Sequence, residues 1–274
     1  MSVTLEQALA QAAQKVGAVD ARVLLAHALE RDGAYLVAHG ADLVDDGVRN
    51  AFDRLVARRA DGEPVAYITG RREFYGLDFR VTPAVLIPRP ETELLVDVVL
   101  ERLPLAAGAD MLDLGTGSGC VAVTVARQRP RARVVAVDMS RAALALAQEN
   151  AGAHGATNVE FRLSNWFSRL AGESFLVIAA NPPYVAVGDP HLAEGDLRHE
   201  PAEALVAQEE GLACLRAIAD AAPAHLAPGG WLMFEHGHEQ AAPCREFLRE
   251  AGFVEIFSRT DLADIERVTG GRLA

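Results

Sequence analysis

Asn181-Pro182-Pro183-Tyr184 combines residue types that can hold a planar nitrogen and aim it at an electrophile. The run Phe175-Leu-Val-Ile-Ala-Ala180 before it is apolar, short and rich in β-formers, so it reads as a buried strand. Two successive prolines end that strand, remove two backbone donors and fix φ. The carbonyls around Asn181 and Pro182 then lie outside any ladder and can face a ligand. An amide or exocyclic amine has its lone pair delocalised into a π-system. Acceptors on its two N–H groups polarise and orient it, and preorganised groups of this kind are worth roughly 2.7–4 kcal/mol each in other enzymes. Tyr184 is then expected to lie against the planar face. Asn-Pro is also a turn signal, and the tetrapeptide alone is compatible with a capped turn.

A second cluster, Asp113-Leu114-Gly115-Thr116-Gly117-Ser118-Gly119, follows the apolar run Met111–Leu114 and precedes a helical pattern, where glycines let backbone approach a ligand. Gly117-x-Gly119-x-x-Ala122 satisfies the dinucleotide fingerprint, and Asp138 at the end of the next strand suits a ribose hydroxyl in either a dinucleotide or an S-adenosylmethionine site. Asp113 favours S-adenosylmethionine, since a carboxylate there repels a pyrophosphate and suits a cationic amino-acid group. Asn181, at the end of a later strand in the same crevice, points the same way. Asp138 can also be read as a helix cap. Ser164-Asn165-Trp166-Phe167 follows a third strand: Asn165 can pair with an adenine edge and Trp166 can wall it, or the segment is a loop around a core Trp. His236-x-His238 is a possible metal pair with no third ligand near it in sequence.

These groups need a scaffold that brings strand ends together. Expected strands at Met111–Leu114, Arg133–Asp138, Val159–Leu163, Phe175–Ala180 and Trp231–Glu235 alternate with expected helices at Cys120–Arg127, Ala142–Gly152 and Gly211–His225. That alternation implies an α/β fold with a mostly parallel, Rossmann-like sheet and ligands at its carboxyl edge. Phe253–Ser258 and Arg267–Arg272 are expected to close it as an antiparallel pair. Residues 1–72 read instead as short helices, with Leu5 and Leu9, then Val23, Leu24 and Ala28 after a capping Asp20, then Val48, Phe52, Leu55 and Val56 on their apolar faces. The aromatic alternation of Phe74–Val81 marks a hairpin linker over residues 73–86, and the second domain is expected over 87–274.

The chain has 274 residues, is 50% apolar and 23% charged, and carries a net charge of −12. Residues 1–72 hold 9 basic and 10 acidic side chains, and residues 73–274 hold 17 and 28. An acidic surface repels phosphate backbones, which counts against a nucleic-acid substrate. No apolar run approaches 18 residues and Met1–Glu6 is not a leader pattern, so neither a membrane span nor secretion is expected. Cys120, Cys214 and Cys244 read as buried free thiols of a reducing compartment.

Phe74-Tyr-Gly-Leu77, Ile87-Pro-Arg-Pro-Glu-Thr-Glu93, Asp113–Cys120, Asn165-Trp-Phe167 and Asn181–Tyr184, in this order, closely resemble the bacterial release factor glutamine methyltransferase family (HemK/PrmC type). Glu200-Pro201-x-x-Ala204-Leu205 and Arg267-Val-Thr-Gly-Gly-Arg272 fit the same pattern. The resemblance implies a small all-α substrate-recognition domain, a hairpin linker and an S-adenosylmethionine-dependent methyltransferase domain. It also implies methylation of the side-chain nitrogen (N5) of the Gly-Gly-Gln glutamine in peptide chain release factors 1 and 2, by a monomeric cytoplasmic enzyme that needs no metal and engages no nucleic acid or membrane directly. By the same resemblance Gly115, Thr116, Gly117, Ser118, Gly119, Asp138, Asn165, Trp166 and Asn181 contact S-adenosylmethionine. Asn181, Pro182, Pro183 and Tyr184 hold the glutamine, with Asn181, Pro182 and Tyr184 as the catalytic set. The chain departs from the family pattern at Asn165, often Asp, and at Gln208-Glu-Glu-Gly211-Leu212, often Gly-x-Asp-Gly-Leu. Methylation of a ribosomal-protein glutamine, or of a DNA or RNA amino group, are the rival activities.

Overall fold

The computed structural model describes residues 3–105 and 108–274. By its contacts the chain divides into two units, Met1–Arg71 with Ala193–His199, and Arg72–Leu192 with Glu200–Ala274.

The first unit is built of α1 (Leu5–Val16), α2 (Ala18–Leu29), α3 (Gly33–Ala38), α4 (Asp46–Ala60) and α5 (Val65–Thr69). A reciprocal capping box starts α1: Gln7 N donates to Thr4 Oγ1 and Thr4 N to Gln7 Oε1. Leu5, Leu24, Leu25, Leu36 and Phe52 form its core. Two expectations fail here. Asp20 is not the cap of α2, which starts after Gly17 without a side-chain cap; its carboxylate instead accepts from Arg59 Nε at 2.6 Å. Val23 is exposed, because Ala21, Leu24 and Leu25 already fill the buried stripe. Arg59 also donates to Asp196, at 2.8 Å, which ties the segment Ala193–His199 into this unit.

The second unit opens with the hairpin β1 (Arg71–Phe74) and β2 (Leu77–Arg80), whose Phe74 and Phe79 meet edge to face at 6.1 Å. A 3-10 turn at Pro90–Thr92 leads into α6 (Glu93–Arg102). Next come β3 (Asp110–Leu114), α7 (Cys120–Gln128), β4 (Arg133–Asp138), α8 (Arg141–Ala153), β5 (Val159–Leu163) and β6 (Phe175–Ala180). Short β7 (Val185–Ala186) and β8 (Val206–Ala207) pair with each other, followed by α9 (Ala213–Ala221), β9 (Leu226–Glu235), α10 (Ala241–Glu250), β10 (Phe253–Thr260) and β11 (Glu266–Leu273). The seven-stranded sheet runs β10-β11-β9-β6-β3-β4-β5; its five strands from β9 to β5 are parallel, β11 runs against them, and β10, antiparallel to β11, runs with them again.

Alternate side chains feed two cores. Met111, Val134, Ala136, Val177 and Ala179 join α6, α7 and the hairpin phenylalanines on one face. Leu112, Val135, Val137, Ile178 and Phe234 join α9 and α10 on the other. Both sheet faces are therefore apolar, which is why these strands read as continuous hydrophobic runs. All five parallel strands end at one edge, and polar residues gather there. Among the described residues no helix is long and apolar enough to cross a membrane. Of the three free cysteines only Cys244 is buried; Cys120 and Cys214 are half-buried.

Candidate functional site

One cavity opens at the carboxyl edge of the sheet, walled by the ends of β3, β4, β5 and β6 and by the segment Ala84–Thr92. Gly115, Thr116, Gly117, Ser118, Asp138, Asn165, Trp166, Asn181 and Pro183 line it, as do Asp113, Met139 and Thr92. Gly119 stands behind the wall. It is left-handed at φ 83°, and a Cβ there would sit 3.0 Å from the Cβ of Ala147, so only glycine lets α7 and α8 approach this closely.

The glycine loop directs its amides inward. Gly115 N and Thr116 N both donate to the Val137 carbonyl, Gly119 N donates to Thr116 O, and Gly117 N donates to Asp138 Oδ2. A phosphate-binding loop keeps such N–H groups for its ligand, so this loop suits a ligand without phosphates. Asp138 Oδ1 accepts from Ser140 N at 2.8 Å. Each of its oxygens retains a lone pair for a hydroxyl, and Asp138 thus serves as both loop brace and candidate hydroxyl acceptor. Behind it, the Asn150 side chain on α8 bonds Ser118 O at 2.8 Å, Arg80 O at 3.0 Å and Arg80 N at 2.8 Å, joining the hairpin to the loop.

Asp113 is 2% exposed and accepts from Thr116 Oγ1 at 2.7 Å. Burial pushes its pKa up to about 6, partly offset by that hydrogen bond. Across the cavity, Trp166 has φ 45° and packs beside Gly115, its carbonyl held by Ser164 Oγ at 2.7 Å. A bulky residue in the left-handed region is strained, and here the strain puts an indole on the cavity wall next to exposed Asn165.

At the other end, Asn181 directly follows β6. Its Nδ2 donates to Thr92 Oγ1 at 3.0 Å, and its Oδ1 is buried with no hydrogen-bond partner. Pro183 lines the cavity, whereas Pro182 is buried and neither it nor Tyr184 forms part of the wall. The Tyr184 hydroxyl donates to Glu235 Oε1 at 3.1 Å, since a buried phenol needs a partner; burial, then the neighbouring Glu235, raises its pKa. Glu235, the last residue of β9, is 2% exposed, and burial pushes its pKa up to about 7.

The loop is clasped from behind. Gln240 Nε2 donates to the Tyr184 carbonyl at 3.0 Å and to Glu210 O at 3.3 Å, while Gln240 Oε1 accepts from Gly237 N at 2.8 Å. Gly211, at φ 87°, lies so close to the Tyr184 carbonyl that any Cβ would collide with it. The Gln208–Gly211 segment is therefore the back support of the Asn181–Tyr184 loop. Glu200 supports the opposite wall by accepting from Ile87 N at 3.1 Å and pairing with Arg89.

His236 is buried, with Nδ1 bonding Gly237 O at 3.0 Å and Nε2 meeting Thr269 Oγ1 at 2.9 Å. No group of three His, Cys, Asp or Glu able to hold a metal occurs among the described residues. Sequence reasoning singled out neither Glu235, Thr92 and Gln240 nor Asn150. An acid ending the apolar run Leu232-Met-Phe-Glu235 at the ligand edge of a parallel sheet was a signal for the first; a lone Thr, Gln or Asn carries none.

Residues 4–70 match the family model of the PrmC N-terminal domain, and residues 91–200 that of the methyltransferase small domain. The chain is 50% identical over 264 residues, 96% of each chain, to a release factor glutamine methyltransferase of Xylella fastidiosa. It is 50% identical over 267 residues to the protein of that name in Burkholderia pseudomallei, covering 95% of this chain and 94% of the other. Among solved structures, a Thermus thermophilus 16S rRNA N2 methyltransferase in complex with AdoMet and guanosine shares the fold, with TM-score 0.55 and 23% identity over 74% of this chain and 50% of that one. A Rossmann-like methyltransferase sheet, an Asn-Pro-Pro-Tyr loop at its ligand edge and such relatives along nearly the whole sequence make the chain a methyltransferase that belongs to the release factor glutamine methyltransferase family.

Proposed function

We propose that this enzyme transfers a methyl group from S-adenosylmethionine to the N5 side-chain nitrogen of the Gly-Gly-Gln glutamine in class 1 peptide chain release factors, acting as a cytoplasmic monomer. The observation that carries the reading is Asn181 Oδ1, a buried acceptor without a partner beside a cavity that also holds a carboxylate pair and an indole. A buried acceptor left unpaired costs about 1–3 kcal/mol, and an amide N–H of an incoming glutamine removes that cost. The relatives' names supply the release factor as the partner.

S-adenosylmethionine, when bound, supplies a sulfonium methyl as electrophile. The chain's residues fit such a cofactor: Asp138 offers lone pairs to ribose hydroxyls, Asp113 a carboxyl for a cationic amino group, and Asn165 and Trp166 an edge and a face for adenine. The inward-bonded glycine loop favours it over a dinucleotide. Asn181 Oδ1 accepts from an N–H of the glutamine amide, and Pro183 walls its side. Tyr184, whose hydroxyl faces Glu235, holds the loop from behind. Positioning supplies most of the acceleration. The amide proton is lost after the nitrogen is alkylated and far more acidic, so no strong base is required.

The test is to incubate the enzyme with S-adenosylmethionine and a purified release factor and map a single added methyl by mass spectrometry. The Gly-Gly-Gln glutamine is the expected position. An unmodified glutamine there, or transfer to a ribosomal protein or nucleic acid in its place, overturns the reading.

A further inference from the structure

We propose that Thr92 and Glu235 are positioning residues that fix which end of the Asn181 side-chain amide faces the cavity, so that oxygen and not nitrogen meets the substrate. The inference rests on the methyl-transfer reading above and deepens it.

The two ends of an Asn amide are nearly isosteric and opposite in polarity. A slot that merely fits the side chain accepts both orientations, and the wrong one presents an N–H to a substrate that also presents N–H groups. Some neighbour must tell the ends apart. Asn181 Nδ2 donates to Thr92 Oγ1 at 3.0 Å, but a hydroxyl accepts or donates with equal ease. Left alone, Thr92 would tolerate either end.

Glu235 removes that freedom. Its carboxyl lies close enough to the Thr92 hydroxyl for that hydroxyl to offset part of the desolvation of the acid. Tyr184 donates to Oε1, and Oε2 is buried with no hydrogen-bond partner. In its ionised form the acid only accepts, so this unpaired oxygen draws the single proton of Thr92 toward itself. Thr92 is then left with lone pairs for Asn181, Asn181 must turn its N–H toward Thr92, and Oδ1 faces the cavity. The direction runs from Asn181, which donates to Thr92, with the Thr92 proton turned toward the unpaired Oε2 of Glu235. Three distant segments meet to build it: the turn before α6, the end of β6 and the end of β9. Thr92 and Glu235 are each 2% exposed, with Arg267 favouring the charged form of the acid and Glu91 opposing it.

The test measures kcat, KM and S-adenosylmethionine affinity on a purified release factor for wild type, Thr92→Ser, Thr92→Val and Glu235→Gln. It also follows exchange of the 15N-labelled Asn181 side-chain amide by NMR in the free proteins. Thr92→Ser is expected within about threefold of wild-type kcat, and Thr92→Val and Glu235→Gln to lose about tenfold or more in kcat with KM and cofactor affinity near wild type, the pattern of lost transition-state positioning. Amide exchange should be slow in wild type and Thr92→Ser and faster in the other two. Wild-type kcat in both Thr92→Val and Glu235→Gln, or unchanged exchange, overturns the proposal, and so does a Thr92→Ser loss equal to that of Thr92→Val. If Thr92→Val does not fold, Glu235→Gln decides. A wild-type enzyme that shows the exchange pattern but leaves the release factor unmodified overturns the activity and keeps the amide lock.

Discussion

The two ends of the cavity are built by different means. At the end proposed for the cofactor the groups lie within short stretches, Asp113 to Gly119, Asp138 and Asn165 to Trp166, braced by bonds within a stretch, such as Gly119 N to Thr116 O, and between adjacent strand ends, such as Gly117 N to Asp138 Oδ2. At the end proposed for the acceptor, Asn181 and Pro183 reach the wall together with Thr92. What orients them comes from far along the chain: Thr92, Gly211, Glu235 and Gln240. A common cofactor can be held by a portable local device. A specific nitrogen needs a lone acceptor held within a fraction of an ångström, and that takes packing from several elements.

The strongest way to break this comparison is Asn181→Ala. Removing one preorganised group of this kind costs about 10²–10³-fold in kcat elsewhere, and that loss is expected here with S-adenosylmethionine affinity little changed by calorimetry. Near-normal turnover would leave the acceptor end without its central residue.

Gly211→Val probes the back support. The side chain has to displace the Tyr184 carbonyl or leave its left-handed backbone, so we expect a kcat loss of about tenfold or more, comparable with other misplacements of reacting groups. Cofactor affinity should again hold, because the partners of this segment include Tyr184 and Gln240, which belong to the other end. A variant that loses cofactor affinity as much as turnover would mean that the two ends are one unit.

The same contrast sets what the sequence disclosed. Strands such as Arg133–Asp138 and Phe175–Ala180 were legible to the residue, because burial on both faces writes them as apolar runs, and the edge strand Val159–Leu163 was legible by its alternation of apolar and charged residues. That the glycine loop, Asp138 and Asn181 meet at one cavity was legible because each sits at a strand end of a parallel sheet. Tyr184 was expected against a planar face; the structure pairs its hydroxyl with Glu235 and keeps it off the cavity wall, for which its residue type gave no signal. Thr92 could not be found, because its meaning depends on Asn181 and Glu235 lying beside it, 89 residues on in the case of Asn181. Asp20 and Val23 failed for a similar reason, since Arg59 and the packing of the first unit decided them.

A smaller effect separates the ends by pH. Asp113 has its pKa raised from 3.8 to about 6 by burial. If its carboxylate meets the cationic amino group of the cofactor, binding needs the ionised form. Affinity for S-adenosylmethionine should be flat above pH 7 and weaken below pH 6 by up to about tenfold per unit, the limit for one linked proton. Asp113→Asn should bind more weakly and lose the slope. Calorimetric titration from pH 5 to 8 checks this, and a wild-type affinity that does not vary across that range removes Asp113 from contact with the cofactor.

Stability offers the finest comparison, because each end holds one buried carboxyl with a raised pKa, Asp113 at about 6 and Glu235 at about 7. Ordinary values in the unfolded chain are 3.8 and 4.5. A raised pKa means that the folded state binds the proton more tightly, so each group's contribution is fully present below its unfolded value. It fades as pH rises through the folded value and is gone above it. From these two groups the enzyme should therefore unfold at lower urea at pH 8 than at pH 5.5, by about 1 kcal/mol from Asp113 and about 2 kcal/mol from Glu235. Below pH 5 the opposite trend sets in as ion-paired carboxylates such as Glu160 and Glu173, whose pKa values arginine partners lower, begin to protonate. Asp113→Asn should remove the part of the decline that ends near pH 6, and Glu235→Gln the part that ends near pH 7. A Glu235→Gln protein that is more stable at pH 8 yet slower in turnover would show that the acceptor end holds a charge that folding disfavours and catalysis requires. Equal stability of wild type and both variants across pH 5.5 to 8 would mean that neither carboxyl is as desolvated as its burial indicates.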